Sequence, residues 1–422
     1  MQRRRFLQST LALGALASGC SKDRGREELT FWSIGREADR IGTLFQEFER
    51  RNPGIRINLE KLPWTAAHQK LLTAFAGNSL PDVFQLGNTW LPEFVELGAL
   101  APLDPYIARS SAIKHDDYFP GIWNTNVMRE QVYGLPWYVD TRLLFYRKDL
   151  LAQAGFAAPP TTWGEWSTML GAIKQLVGKD QYSIILPLNE FEPMLNLAIQ
   201  QPDPLLRDGD RYGNFRSAGF RQTMQFYHEC FVNRWAPTMT NTQVSNVWDE
   251  FGNGLFSFYI SGPWNIVEFQ KRLPVRLKDA WMTAPMPGPT GPGASIAGGS
   301  SLVLSRDAVQ REAAWKLIEF FSTPEIQIEY HALTGNMPPR RSSWSNELSA
   351  DIYSQAFRTQ LERVRSTPKV PEWERIATEV RISSEQVAVA NKDVAIACTE
   401  LDQRVDAILE KRRSVLAKRG QS

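Results

Sequence analysis

Leu29-Thr30-Phe31-Trp32-Ser33 reads as a buried strand, and the alternation of helix and strand that it begins decides the fold. Ile41, Leu44, Phe45 and Phe48 share one face of a helix expected over 38–51, which Asn52-Pro53-Gly54 ends. Ile55-Arg56-Ile57-Asn58-Leu59 alternates as a second strand, a second helix is expected over 65–76, and Leu80-Pro81-Asp82 turns into a third strand through Leu86. This alternation implies parallel strands with helices on both faces, and such sheets hold ligands at the carboxyl ends of their strands. Trp32-Ser33-Ile34-Gly35 and Gly87-Asn88-Thr89-Trp90 stand at two of those ends.

The alternation continues toward the C-terminus. An extended passage from Tyr133 through Asp140 runs into Leu143-Leu144-Phe145-Tyr146 and a helix over 148–154. Pro159-Pro160-Thr161-Thr162 makes a stiff turn with an N-cap candidate before a helix over 166–177. Strands are expected over 183–187, 255–260 and 300–304, the second ending in Ser261-Gly262-Pro263-Trp264-Asn265. Residues 287–293 are too rich in Pro and Gly for regular structure, and beyond the loop 335–341 the chain reads as helical.

Arg3, Arg4 and Arg5 precede a short apolar stretch, Phe6 to Ala17, the layout of a cleaved export signal over 1–19. That stretch falls well short of the ~20 residues a membrane-spanning helix needs. Arg4-Arg5-Phe6-Leu7 looks like a twin-arginine signal, with general secretion as the other route. Leu16-Ala17-Ser18-Gly19-Cys20 resembles a bacterial lipobox, which makes Cys20 the lipidated residue and 20–28 a polar tether. The alternative is an ordinary signal with an incidental Cys. Either way the mature chain is expected on an extracytoplasmic face, periplasmic or equivalent.

The 422 residues, 43% hydrophobic and 22% charged, have globular proportions and allow two or three domains. A formal net charge of +2 without a concentrated basic face argues against nucleic acid. The four His are scattered singly, so neither a metal site nor a cofactor is expected; Cys230 and Cys398 read as buried small hydrophobes, or as a pair. Several of the 14 Trp sit beside Gly, Pro, Asn or Asp rather than in apolar helical stripes. That placement suits a sugar, whose C–H face packs on an aromatic ring while Asp, Asn and Arg take its hydroxyls; core packing is the alternative for each ring.

Taken in chain order, a further set of segments carries a resemblance: Phe31-Trp32, Leu80-Pro81-Asp82-Val83-Phe84, Gly98-Ala99-Leu100-Ala101-Pro102-Leu103-Asp104, Gly134-Leu135-Pro136 and Tyr146-Arg147-Lys148-Asp149-Leu150-Leu151. Pro160-Thr161-Thr162-Trp163, Ile260-Ser261-Gly262-Pro263-Trp264 and Gly298-Gly299-Ser300-Ser301-Leu302-Val303 complete it. Together they resemble the extracellular carbohydrate-binding proteins of ABC importers, the group that includes maltose- and trehalose-binding proteins. The resemblance spans nearly the whole mature chain. It implies an α/β, two-lobed periplasmic-binding-protein fold with the ligand in the cleft between lobes. Three crossings are implied near Val139, Met282 and Arg341, giving a first lobe of 29–139 plus 283–341 and a second of 140–282 plus 342–422. It also implies a monomer that takes a mono- to trisaccharide, a disaccharide first, by hinge closure and passes it to membrane permease subunits.

The same resemblance nominates site residues. Trp264, presented through Gly-Pro after a strand, is the expected stacking platform, and Asp140 the expected hydroxyl acceptor, with a salt bridge to Arg142 as its alternative. Asn88 and Trp90 follow the third strand. Arg36, Gly298, Arg340, Glu190 and Trp373 complete the set, Gly298 as a place where backbone N–H groups approach the ligand or as a tight turn. Gly87-Asn88-Thr89-Trp90 lacks the acid–base pair that maltose-binding proteins carry there, which separates this site from a maltose site.

Other classes leave weaker marks. Glu190 and Glu192, or Asp249 and Glu250, are acid pairs, but neither belongs to a motif that sets two acids across a glycosidic bond. No Gly-x-Ser-x-Gly, Walker or His-Glu-x-x-His motif occurs, so a binder rather than an enzyme is expected. Among binders, a polyol, a glycoside osmolyte or a sugar phosphate stay open; peptide or anion uptake would call for basic groups or helix N-termini at the cleft.

Overall fold

The computed structural model describes residues 26–418 apart from Arg36 and Ser245; the expected export signal and Cys20 lie outside the described residues. The strands that position the site are, in chain order, β1 (Glu27–Ile34), β2 (Ile55–Leu62), β3 (Val83–Gly87), β4 (Gly134–Val139), β5 (Leu143–Arg147) and β6 (Tyr182–Ile185). They continue with β7 (Phe256–Ser261), β8 (Trp281–Ala284), β9 (Ser295–Ile296), β10 (Gly299–Leu304) and β11 (Val364–Arg365).

Nine of these strands build two sheets, one per lobe, and β9 and β11 pair as a separate ribbon. The first runs β2-β1-β3-β10-β4, with β1 parallel to β2 and β3, and β10 antiparallel to both its neighbours. The second runs β8-β5-β7-β6, with β5 antiparallel to β7 and β8, and β7 parallel to β6. Every residue of β3, β4 and β5 is buried, as expected for strands covered on both faces.

Local sequence explains the covering helices. Helix Gly42–Arg51 turns Leu44, Phe45 and Phe48 inward, and Phe45 meets Phe31 of β1 at 5.2 Å between ring centroids. The helix expected over 38–51 is broken: Glu37–Arg40 forms a separate short helix and Ile41 caps the next. Helix Trp163–Val177 starts three residues before the expected 166 because Thr162 and Glu165 form a capping box, and Trp163 and Trp166 both bury. Cys230 and Cys398 are buried free thiols, the small hydrophobes expected rather than the alternative of a pair; burial pushes both thiols up, Cys398 to about 12. No described helix is long and apolar enough to cross a membrane.

The chain passes from the first sheet to the second across residues 140–142, between β4 and β5. Its return corrects the expected boundary at 283. β8 stays paired with β5 through Ala284, and Gly288 exchanges backbone hydrogen bonds with Thr161 and Trp163. β9 then pairs in parallel with β11, so the first sheet is rejoined only at β10. A third passage comes after Met337, which bridges Val139; from Trp344 to Val364 the chain packs in the cluster that holds Phe145 of β5.

Arg340, an expected ligand contact, belongs to this third passage instead. It is 3% exposed, its Nε donates to Asp117 Oδ2 at 2.7 Å and its Nη1 to Ser322 O at 2.5 Å. Arg340→Ala is expected to destabilise the fold by about 3–5 kcal/mol, because Asp117 loses its partner in a shielded site; chemical denaturation measures it. Burial alone would raise the Asp117 carboxyl, but the Ser342 hydroxyl and the Arg340 guanidinium hold it below the usual range. The pair's contribution is therefore present above the ordinary carboxylate value and lost as pH falls through the lowered one.

Candidate functional site

A cavity of about 530 Å³ opens between the two sheets. The first lobe supplies Glu37 after β1, Gly87 at the end of β3, and Asn88, Thr89 and Trp90 after it; the second supplies Phe191, Glu192 and Trp264. Asp140, Arg142, Gly298 and Gly299 line it from the two crossings. The carboxyl ends of β1, β3 and β7 thus converge on one space, as the strand order requires.

Close packing fixes the platform. Pro263 starts helix Trp264–Arg272, and the indole of Trp264 folds back over Gly262, where a Cβ would lie 2.0 Å from a ring carbon. The Arg142 guanidinium stands 4.6 Å from the ring centroid of Trp264, a cation–π contact. Arg142 is in turn flanked by Asp140 at 3.6 Å and Glu192 at 3.7 Å, and donates to Asp140 O at 2.9 Å. Burial opposes its charge, but the carboxylates of Asp140, Glu192 and Glu190, with Tyr259, more than offset that and raise its pKa. Asp140 is therefore both an ion-pair partner and a wall of the cavity.

Gly298 contributes space rather than donors. A Cβ there would lie 2.1 Å from Asp140 Oδ1, while its own N–H is taken by Ile296 O at 2.9 Å. Asn88, 8% exposed, reaches the cavity with its amide already engaged: Nδ2 donates to Ala297 O at 3.3 Å and Oδ1 accepts from Ser301 Oγ at 3.2 Å. It ties the first-lobe loop to the second crossing.

The first lobe adds aromatic rings of its own to the cavity lining. Trp90 meets Trp64 edge-on at 5.6 Å and His68 at 4.9 Å between centroids. Trp64, 41% exposed, is a site residue that the sequence reading misses, yet Pro63-Trp64 after β2 repeats the Pro263-Trp264 arrangement after β7. A smaller recess of about 280 Å³ shares Glu37, Trp64, Trp264 and Asn336 with the cavity and extends past Trp264 to Trp248.

Three nominated residues stand elsewhere. Trp373 is fully buried among the second-lobe helices, and its neighbour Glu374 faces the cavity instead, since one step around a helix turns a side chain by about 100°. Glu190 is held by Asn241 Nδ2 at 2.8 Å and burial raises its pKa; Glu192, at the start of the next helix, takes the wall position. Arg340 is the structural ion pair described above. A fourth, Arg36, lies outside the described residues.

Glu374 also joins the lobes. Thr89 Oγ1, on the first lobe, donates to Glu374 Oε1 at 2.6 Å, and burial raises that carboxyl despite the bond. A contact made across the cleft stabilises the closed arrangement only. Thr89→Val is expected to weaken ligand affinity about two- to fivefold and to enlarge the ligand-free radius of gyration in small-angle X-ray scattering.

Two lobes hinged around a cavity walled by aromatic rings and carboxylates define a binding protein for solutes, and the chain belongs to the bacterial extracellular solute-binding protein family, whose model matches residues 36–328. It is similar in structure to the sugar-binding protein MalE from Xanthomonas citri, with a TM-score of 0.90 and 53% identity over 93% of this chain and 99% of that one. The diacetylchitobiose binding protein DasA of Streptomyces coelicolor is 24% identical over 85% of this chain and 86% of its own. The maltotriose-binding protein of Pyrococcus abyssi is 25% identical over 78% of this chain and 70% of its own.

Proposed function

We propose that the protein captures a small sugar, a mono- to trisaccharide with a disaccharide first, in the cleft between its lobes and delivers it to the permease of an ABC importer. One observation carries this reading: Trp64, Trp90 and Trp264 flank a cavity whose polar side chains are four carboxylates, three hydroxyls, two amides and one guanidinium. Aromatic faces pack on the C–H faces of a pyranose and carboxylates accept its hydroxyls. The recess beyond Trp264 gives room for more than one ring. The sugar-binding relatives support the same reading.

Among the described residues, four carboxylates (Glu37, Asp140, Glu192 and Glu374) stand against the guanidinium of Arg142 on the cavity wall. That balance disfavours a sugar phosphate, which would add negative charge to this space. Capture rather than turnover is the proposed role. Oligosaccharides incubated with the protein are expected to be recovered intact by chromatography while tryptophan fluorescence changes on binding; cleavage products, or no fluorescence response to any sugar, would count against it.

Cys20 is proposed to carry the lipid that holds the protein at an extracytoplasmic membrane face. Cys20→Ala is expected to move the protein from the membrane to the soluble fraction on cell fractionation, since acyl chains supply the anchoring free energy at about 0.8 kcal/mol per buried methylene.

A further inference from the structure

The recess of about 280 Å³ beside the cleft is built by both lobes. Glu37, Trp64 and Asn336 come from the first, and Trp248, Trp264 and Glu268 from the second. Glu37, Trp64, Trp264 and Asn336 also line the cavity of about 530 Å³, so the two spaces share walls. Of the two, Arg142 and Asp140 line the cavity only, and Trp248 and Glu268 the recess only. Val267, another wall residue of the recess, is where the lobes touch. Gly335 ends the first-lobe helix Pro324–Thr334 at φ +80°, and a Cβ on it would lie 3.1 Å from Val267 Cγ2.

Trp248 is held in place by its surroundings. Asn246 caps its helix, Val247–Asn253, with Oδ1 accepting from Trp248 N at 3.1 Å and Asp249 N at 3.2 Å. The indole Nε1 donates to Asn265 Oδ1 at 2.7 Å, and Asn265 Nδ2 donates to Ser261 Oγ at the end of β7. With its N–H engaged and its ring only partly buried, Trp248 offers the recess apolar aromatic surface. The arrangement repeats that of the cleft. Trp264 carries Arg142 at 4.6 Å with Glu192 at 3.7 Å from that guanidinium; Trp248 carries Arg272 at 4.3 Å with Glu268 at 2.6 Å from it. Glu37, Glu268 and Asn336 bring carboxylates and an amide, the groups that take hydroxyls.

We propose that the recess is a second sugar subsite, in which the ring next to the one stacked on Trp264 packs against Trp248; this rests on the sugar reading of the cleft. A ligand of two or more rings then touches Trp248, and a single ring does not. Because the walls come from both lobes, the second ring adds contacts that only the closed arrangement makes.

Calorimetric titration of the full chain with glucose, galactose and the disaccharides maltose, trehalose, cellobiose, lactose and melibiose tests this, by competition where single rings bind weakly. At least one disaccharide is expected to bind the wild type about tenfold or more tighter than either of its component monosaccharides. Trp248→Ala is expected to weaken that disaccharide at least about fivefold and to leave the monosaccharide within about twofold. Trp248→Phe, which keeps a smaller apolar ring and loses the bond to Asn265, is expected to fall between, and serves should the alanine variant fail to fold. Equal weakening of both ligands would mean that Trp248 acts only by holding Asn265 and the helix that carries Trp264, and would overturn the proposal, as would an unchanged disaccharide affinity. A wild type that binds a monosaccharide as tightly as its disaccharides would remove the subsite and leave the sugar reading standing. One that binds none of these sugars would count against both.

Discussion

Trp264→Ala is expected to weaken sugar binding at least about tenfold in a calorimetric titration, with a much smaller effect on the melting temperature. Ring stacking of this kind is worth about 1–3 kcal/mol by analogy with bases on aromatic residues, and ~1.4 kcal/mol is already tenfold in affinity. The indole does more than stack. It carries Arg142 at 4.6 Å, and Arg142 keeps Asp140 and Glu192 at 3.6 and 3.7 Å. Without the ring the guanidinium loses one wall, and two hydroxyl acceptors lose a fixed position with it. Trp264→Phe, which keeps an apolar face but a smaller one, is expected to fall between. An alanine variant that binds as tightly as the wild type would remove Trp264 from the site.

Gly299→Ala is expected to carry a large cost to stability. Gly299 has φ +136°, and a Cβ there would lie 2.2 Å from Tyr138 O and 3.0 Å from Val139 Cα, both backbone atoms that no rotamer change can clear. The residue sits where β10 pairs with β4, beside a register shift at Ser300/Ser301. Its carbonyl also accepts from Asn88 N at 3.1 Å, so the strain reaches the first-lobe loop of the cleft. A loss of about 3 kcal/mol or more is expected, with a fall in melting temperature of about 4 °C or more. At Gly298 the clash is with the tip of Asp140, which can swing aside, so Gly298→Ala is expected to be milder. Equal melting temperatures for wild type and Gly299→Ala would contradict the backbone geometry.

Much of the architecture is legible in the sequence because burial writes itself into runs of apolar residues. Val83 to Gly87 and Leu143 to Arg147 are buried at every position, and no polar alternation blurs them. The second crossing is less legible for a physical reason. The Pro-Gly loop after β8 looks like a linker, but Gly288 binds Thr161 and Trp163 through backbone groups that leave no side-chain signature. Trp264, Trp90, Asp140 and Gly298 reach the cavity, since each stands just beyond or just before a strand. Trp373 and Glu190 miss it by one and two positions, because which face of a helix or loop looks inward depends on packing against distant segments. Trp64 repeats the Pro-Trp arrangement of Trp264, and that repeat is the signal by which it could be found. Arg142 reads in the sequence only as a partner for Asp140; its seat on the indole depends on the fold bringing the first crossing against β7.

The central claim is that the cleft takes a small sugar, and a thermal-shift screen tests it most directly. A panel of mono-, di- and trisaccharides at about 1 mM, run beside sugar phosphates, amino acids and short peptides, is expected to yield at least one neutral sugar that raises the melting temperature by several degrees. That rise should disappear in Trp264→Ala. A panel in which no sugar shifts the transition, while a peptide or a phosphorylated compound does so through the same Trp264-dependent site, would contradict it.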